Sequence, residues 1–187
     1  MAGLLSDARE ELPIRMPEPL GNPVQVIAYV DAKHAGNMKT TRSHTGILIY
    51  INRAPIIWYS KRQNTVEASS FGSEYIALRI CTEMVEALRY KLRCFGVPVQ
   101  GSSEILCDNK SVVTNSSIPT SFSTSDITLY VICYHRIREA QAAGMIRVGW
   151  IEGEKNVADL LTKTTLSNES KRRFLQFVFD DDSTPLL

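Results

Sequence analysis

Hydrophobic and β-branched residues come in short runs over the first third of the chain. Three of these runs predict β-strands, and they are residues 23–32 (PVQVIAYVDA), 44–51 (HTGILIYI) and 54–61 (APIIWYSK). Only residues 52–53 separate the second run from the third, which predicts an antiparallel hairpin. Residues 1–22 hold three prolines and a glycine near their end, and they predict an irregular leader.

The periodicity becomes helical at Ser73. Apolar residues then recur every three or four positions to about Phe95, and Gly96 followed by Pro98 ends the helix. Further strands are predicted at 102–108 and 145–152, and further helices at 109–116, 132–144 and 156–163. The order β β β α β α α β α predicts an α/β fold of the mixed type. It has one five-stranded mixed sheet, antiparallel on one side and parallel on the other, with helices on both faces.

The composition is that of a soluble globular protein. Hydrophobic residues make up 44% and charged residues 22% of the 187 residues, which excludes a largely disordered chain. No apolar run approaches the ~18–20 residues that cross a bilayer, and the first residues carry acids where a signal peptide needs bases. We therefore expect an intracellular protein, cytoplasmic or nuclear. Its single domain spans 23–165, and an acidic, flexible tail follows at 166–187.

The net charge of +1 identifies no partner by itself. The charge is unevenly distributed, however, because residues 23–163 hold 16 basic and 12 acidic residues. This mild excess favours a polyanionic partner.

Four acidic residues lie at ends or edges of the predicted elements, and they are Asp31, Glu74, Asp108 and Asp159. Asp31 closes the first strand and Asp108 the fourth, so parallel pairing of these strands would bring both carboxylates to one edge of the sheet. Taken singly, each acid also fits a turn, a helix cap or a first helical turn. Taken together, clustered carboxylates hold hard cations such as Mg²⁺. Two such ions roughly 3.5–4 Å apart support phosphodiester cleavage.

Six sequence blocks follow one another between Val24 and Thr164: YVDAKHAGN, TRSHTG, PIIWYSKRQNTVEASSFGSEYIAL, CDNKS, YHRIRE and NVADLLTK. In this order and spacing they resemble the ribonuclease H domain of copia-type LTR retrotransposons, which follows the reverse transcriptase in the Pol polyprotein. The resemblance implies the ribonuclease H fold and an endonuclease that cuts the RNA strand of RNA–DNA hybrids. It also implies two Mg²⁺ ions as cofactors, with Mn²⁺ as a substitute, and the reverse transcriptase as partner in the parent polyprotein. Because the chain starts with its own Met shortly before the domain, we expect a fragment that lacks the reverse transcriptase.

The same resemblance assigns site residues. The family's catalytic, metal-binding acids fall on Asp31 in VDA, Glu74 in SEYIAL, Asp108 in CDN and Asp159 in ADLLTK. Glu74 is preferred to Glu67 because the family's glutamate precedes an apolar residue, with Ala three positions on. Seven neighbours in sequence are expected to bind the substrate's phosphates or hydroxyls, and they are Arg42, Lys61, Arg62, Ser69, Ser70, Asn109 and Lys110. Trp58 and Trp150 lie within strands and are expected in the core.

Two alternatives to the enzyme remain open. The first is a catalytically inactive remnant that still binds nucleic acid. It is favoured by residues 122–131 (FSTSDITLYV), which hold no lysine, arginine or histidine where the family usually carries a basic stretch. The second is an integrase-like nuclease, which ranks last because it needs three acids and lacks the SEYIAL and ADLLTK blocks.

Overall fold

The computed structural model describes residues 14–35, 41–67, 69–117, 131–163 and 166–179. The strands are β1 (Val26–Lys33), β2 (His44–Ile51), β3 (Ala54–Arg62), β4 (Ser103–Cys107) and β5 (Ile146–Trp150). The helices are α1 (Ser70–Cys94), α2 (Lys110–Ser117), α3 (Val131–Ala142), α4 (Asp159–Thr162) and α5 (Asn168–Phe179), with a 3₁₀ turn at Gly153–Lys155. Nearly all of the non-basic segment at 122–131 lies outside the described residues.

The five strands form one sheet in the order β3-β2-β1-β4-β5. β2 pairs antiparallel with both β1 and β3, whereas β4 pairs parallel with both β1 and β5. The predicted mixed sheet, with the first and fourth strands adjacent and parallel, is therefore confirmed. Val30 pairs with Cys107, so the next residues, Asp31 within β1 and Asp108 just after β4, lie side by side toward the same end of the sheet.

The alternation of side chains along β1 divides the core between the two faces of the sheet. Ala28 and Val30 face one side and belong to the main cluster, which includes Leu78, Cys81 and Val85 of α1. Tyr29 and its neighbours on the other face pack in a second cluster with Val157, Ala158 and Phe174. The long helix thus covers one face of the sheet, and the segments around α4 and α5 cover the other.

Residues 166–179 differ from the flexible tail expected at 166–187. They contain α5, whose Phe174 is buried in the second cluster together with the half-buried Leu166. The charged run ESKRR just before Phe174 makes this segment look polar in sequence, which hides the contribution of Phe174 to the second cluster. Residues 180–187 lie outside the described part of the chain.

The two tryptophans are not in the core, which corrects the expectation from sequence. Trp58 is 70% exposed and Trp150 is 43% exposed. β3 and β5 are the edge strands of the sheet, and each ring lies on one of them. An apolar residue in a strand does not reveal whether that strand is central or at an edge, so the sequence pattern could not distinguish the two cases.

Among the described helices, none combines the length and the apolar character that crossing a membrane requires.

Candidate active site

Carboxylates from four separate parts of the chain meet near the C-terminal ends of β1 and β4. One oxygen from each of Asp31, Asp108 and Asp159 lies within 4.8 Å of the other two. Asp108 also belongs to a second group with Glu74 and Cys107, whose ligand atoms lie equally close together. The four predicted acids therefore fall into two overlapping groups that share Asp108. Their role as metal ligands stays a prediction.

A glycine on β2 allows α4 to reach this cluster. Gly46 pairs with Asp31 across the β1–β2 ladder. A Cβ at Gly46 would lie 2.6 Å from the Thr162 side chain and 2.9 Å from the Ala158 carbonyl oxygen, closer than atoms can pack. The missing side chain therefore lets α4 lie directly on the sheet, which brings Asp159 and Thr162 to Asp31.

Two polar side chains fix the approach of α4. The buried Thr162 hydroxyl donates a hydrogen bond to the Asp31 carboxylate. The Asn156 side chain donates to the Val30 carbonyl (3.0 Å) and accepts from the Ala158 N–H (3.2 Å). Sequence reasoning missed Gly46, Asn156 and Thr162 as site-building residues, although all three lie inside the TRSHTG and NVADLLTK blocks.

Glu74 reaches the cluster from the opposite face of the sheet. Ser69 caps α1 by accepting a hydrogen bond from the Gly72 N–H (3.1 Å). Because the helix begins at Ser70, Glu74 lies in its second turn rather than the first. The Cys107 thiol donates to the Glu74 carboxylate at 3.5 Å. Burial, and then the negative charges of Asp31 and Asp108, raise the pKa of Glu74 to about 8.

The pKa values of two aspartates are also raised. Burial is the first cause for Asp159, whose pKa rises to about 6, while a hydrogen bond from Lys163 opposes the rise. Burial and then the charge of Asp31 raise the pKa of Asp108. Neighbouring negative charges thus contribute to both rises, and burial is the larger cause. Lys163 supplies a compensating charge, its Nζ lying 2.5 Å from an Asp159 oxygen.

The unpaired oxygens of the cluster suit a hard cation. Oδ1 of Asp108 and Oδ1 of Asp159 are buried and have no hydrogen-bond partner within the part of the chain that is described. Buried acceptors without donors are costly unless something else binds them. Carboxylate oxygens are the donors that Mg²⁺ prefers, so these residues fit a divalent cation of this type.

The predicted substrate-binding residues divide into two sets. Lys61 and Arg62 are the last residues of β3, and Arg42 comes shortly before β2. All three therefore lie toward the same end of the strands as Asp31. Ser69, Ser70, Asn109 and Lys110 lie at the starts of α1 and α2.

Several of the second set already have structural roles. Ser69 caps α1, and the Asn109 side chain caps α2 by accepting from the N–H groups of Ser111 (3.0 Å) and Val112 (3.2 Å). Lys110 Nζ lies 4.3 Å from the centre of the Trp150 ring. Contact of all seven residues with a substrate stays a prediction.

The docking of α4 on Gly46 gives a first testable prediction. We expect Gly46→Ala to lower the free energy of unfolding by about 1–3 kcal/mol, because the added methyl overlaps backbone as well as side-chain atoms. It should also weaken Mn²⁺ binding, since α4 carries Asp159. Urea denaturation and Mn²⁺ titration measure the two effects. Gly149→Ala is the control, because its Cβ would meet only the Leu106 side chain, at 3.1 Å. Equal effects of the two variants would contradict this account.

Comparison with known proteins identifies relatives of the chain in sequence and in fold. No protein-family model matches the chain. Over 143 residues, 76% of the chain, it is 30% identical to the retrovirus-related Pol polyprotein from transposon RE1 of Arabidopsis thaliana. It is 29% identical, over the same share, to the corresponding polyprotein from transposon RE2. The chain spans about a tenth of the length of these relatives, since 10% of each is matched.

The fold has solved counterparts. The crystal structure of LC11-RNase H1 in complex with RNA/DNA hybrid matches with a TM-score of 0.57 and 19% identity, covering 74% of this chain and 94% of that one. Sheet order, helix placement and this similarity define a ribonuclease H-like α/β fold with a carboxylate cluster at the sheet edge. In sequence, the chain is homologous to a segment of retrotransposon Pol polyproteins.

Proposed function

We propose that the protein is a ribonuclease H of copia-type retrotransposon origin, a Mg²⁺-dependent endonuclease that hydrolyses the RNA strand of RNA–DNA hybrids. The observation that carries this proposal is the convergence of Asp31, Glu74, Asp108 and Asp159, with two buried carboxylate oxygens that lack donors within the described chain. Homology to Pol polyproteins supports it. The reverse transcriptase is the proposed partner in the parent polyprotein, and the cytoplasm or nucleus is the proposed compartment.

The four acids are proposed to hold two Mg²⁺ ions. When bound, such ions lower the pKa of an attacking water and neutralise charge on the cleaved phosphodiester. The protein's own groups prepare the site. Thr162 orients the Asp31 carboxylate, and Lys163 balances the charge of Asp159. Cys107 holds the Glu74 side chain toward Asp108.

Four basic residues around the cluster are proposed to bind phosphates, and they are the half-buried Arg42 and the exposed Lys61, Arg62 and Lys110. Ser69, Ser70 and Asn109 are proposed to contact hydroxyls of the RNA strand, whose 2′-OH groups line the minor groove of a hybrid. Phosphate binding of this kind weakens as salt rises.

A non-catalytic binding role is the second candidate. The segment at 122–131 holds no basic residue, which favours a protein with weakened substrate binding. The intact set of four clustered acids favours the enzyme.

A cleavage assay tests the proposed function. We expect the purified chain to cut the RNA strand of an end-labelled hybrid with Mg²⁺ or Mn²⁺. It should leave double-stranded DNA intact, and it should be inactive in EDTA. Ca²⁺ should support binding better than turnover, because its longer ligand distances and looser geometry suit a paired octahedral site poorly. Tight hybrid binding without cleavage would favour the remnant, whereas cleavage in EDTA would contradict the mechanism.

A further inference from the structure

Trp150 lies beside the carboxylate cluster and is held in a defined orientation. It is the last residue of β5 and pairs with Cys107, the residue before Asp108. Its indole Nε1 donates a hydrogen bond to the Asp108 carbonyl oxygen at 3.0 Å. The side chain is nevertheless 43% exposed. The ring is therefore fixed to the backbone of a proposed metal-binding residue while much of its surface faces solvent.

Lys110 gives this exposed ring a cationic neighbour. Its Nζ lies 4.3 Å from the ring centre, within the range of a cation–π contact. Such a contact is weak at an exposed position, and a phosphate group attracts an ammonium more strongly. Lys110 can therefore move to a phosphate and uncover the aromatic face that it occupies in the free protein.

An aromatic ring held beside a lysine side chain, as Trp150 is beside Lys110, is a combination with which proteins bind nucleic acids. The flat faces of bases and sugars pack on aromatic side chains, while the backbone phosphates take the positive charge. Because the ring adjoins Asp108, whatever packs on it lies next to the proposed reaction centre.

We propose that Trp150 contacts the RNA–DNA hybrid directly, its ring packing on a sugar or base beside the scissile phosphate while Lys110 binds a neighbouring phosphate. The indole N–H has a second, positioning role, because it fixes the backbone of Asp108. This proposal rests on the proposed ribonuclease H function and adds a residue that neither the sequence blocks nor the carboxylate cluster identified.

The chain contains a matched internal control. Trp58, the other tryptophan, lies on β3 at the opposite edge of the same sheet. Four strand spacings separate the two edges, about 19 Å. Trp58→Phe leaves Trp150 as the sole tryptophan, and Trp150→Phe leaves Trp58, so the fluorescence of each ring can be followed alone.

The first experiment titrates both single-tryptophan proteins with a fluorescein-labelled hybrid in Ca²⁺, while label anisotropy reports binding independently. We expect the Trp150 emission to change by about twofold at saturation, since stacking on a base alters the surroundings of the ring. The Trp58 emission should stay nearly constant. Binding by anisotropy without a change at Trp150 would overturn this inference alone. No binding by anisotropy would overturn the proposed function, and this inference with it.

The second experiment separates contact from positioning. Trp150→Phe keeps an aromatic face but loses the N–H donor, so hybrid affinity should stay within about twofold while the cleavage rate at saturation falls. Trp150→Leu loses the ring, and affinity should fall about tenfold. Trp58→Leu, the matched control, should bind like the wild type. Wild-type affinity in Trp150→Leu, with an unchanged melting temperature, would overturn the contact role.

Discussion

Replacing Asp108 with Asn is expected to reduce hybrid cleavage by about a thousandfold or more. Asp108 is the residue shared by both close groups of ligand atoms, one with Asp31 and Asp159 and the other with Glu74. The amide keeps the shape of the carboxylate and removes the charge that would bind the cations. Single-turnover cleavage of a labelled hybrid at saturating Mg²⁺ measures the effect.

The loss in Asp108→Asn should come from chemistry rather than from unfolding. Because burial and Asp31 already raise the pKa of Asp108, removing its charge should leave the melting temperature in EDTA unchanged or higher. Glu67→Gln is the matched control, since Glu67 is the rejected candidate and accepts a hydrogen bond from Thr65 at 2.6 Å. The control should retain its rate within about twofold. Undiminished cleavage by Asp108→Asn would refute the proposed site.

The fold was predictable because local patterns and topology agree. The hairpin of β2 and β3 follows from two apolar runs and a two-residue connection. The helical period after Ser73 separates these strands from the parallel half of the sheet. Asp31 and Asp108 were identifiable as neighbours because each follows the apolar run of its strand, and the parallel pairing of those strands fixes where they meet. The expectation that Asp31 closes the first strand was wrong, because β1 continues to Lys33.

The contacts that complete the site could not be predicted in the same way. The hydrogen bond from Thr162 to Asp31 joins residues 131 positions apart, and that from Asn156 to Val30 joins residues 126 apart. Periodicity identifies the face of an element and says nothing about which polar side chains meet across the sheet. Gly46 looked like an ordinary strand residue, and its importance appears only once α4 lies on it.

The raised pKa values of the clustered acids could also be predicted only in part from the sequence. Adjacent acids predict electrostatic repulsion, and repulsion does contribute to the raised pKa of Glu74. Burial is nevertheless the first cause, because the site lies where α1 on one face and α4 on the other close over the ends of the strands. How deeply the acids are buried depends on how these helices pack on the sheet, and this packing cannot be deduced from short stretches of sequence.

The stability of the metal-free protein is expected to fall as pH rises from about 4.5 to 8. The folded pKa of Glu74, about 8, lies above its ordinary value of 4.5, so the folded state binds more protons than the unfolded state within this window. Glu74→Gln cannot ionise and should escape this loss. At pH 8 in EDTA we expect the variant to be more stable than the wild type by about 4 kcal/mol, measured by urea denaturation.

The proton on the Glu74 carboxyl group should be released when a cation binds. At pH 7 the Glu74 side chain is mostly protonated, and a metal ligand must be a carboxylate, so Mn²⁺ binding should release most of one proton from this group. Calorimetric titration in two buffers of different ionisation enthalpy measures the release. Glu74→Gln should lose most of it and bind Mn²⁺ more weakly, whereas Glu67→Gln should behave like the wild type. Equal proton release in the wild type and in Glu74→Gln would remove Glu74 from the ligand set. Asp31, Asp108 and Asp159 would then be left as the metal-binding group.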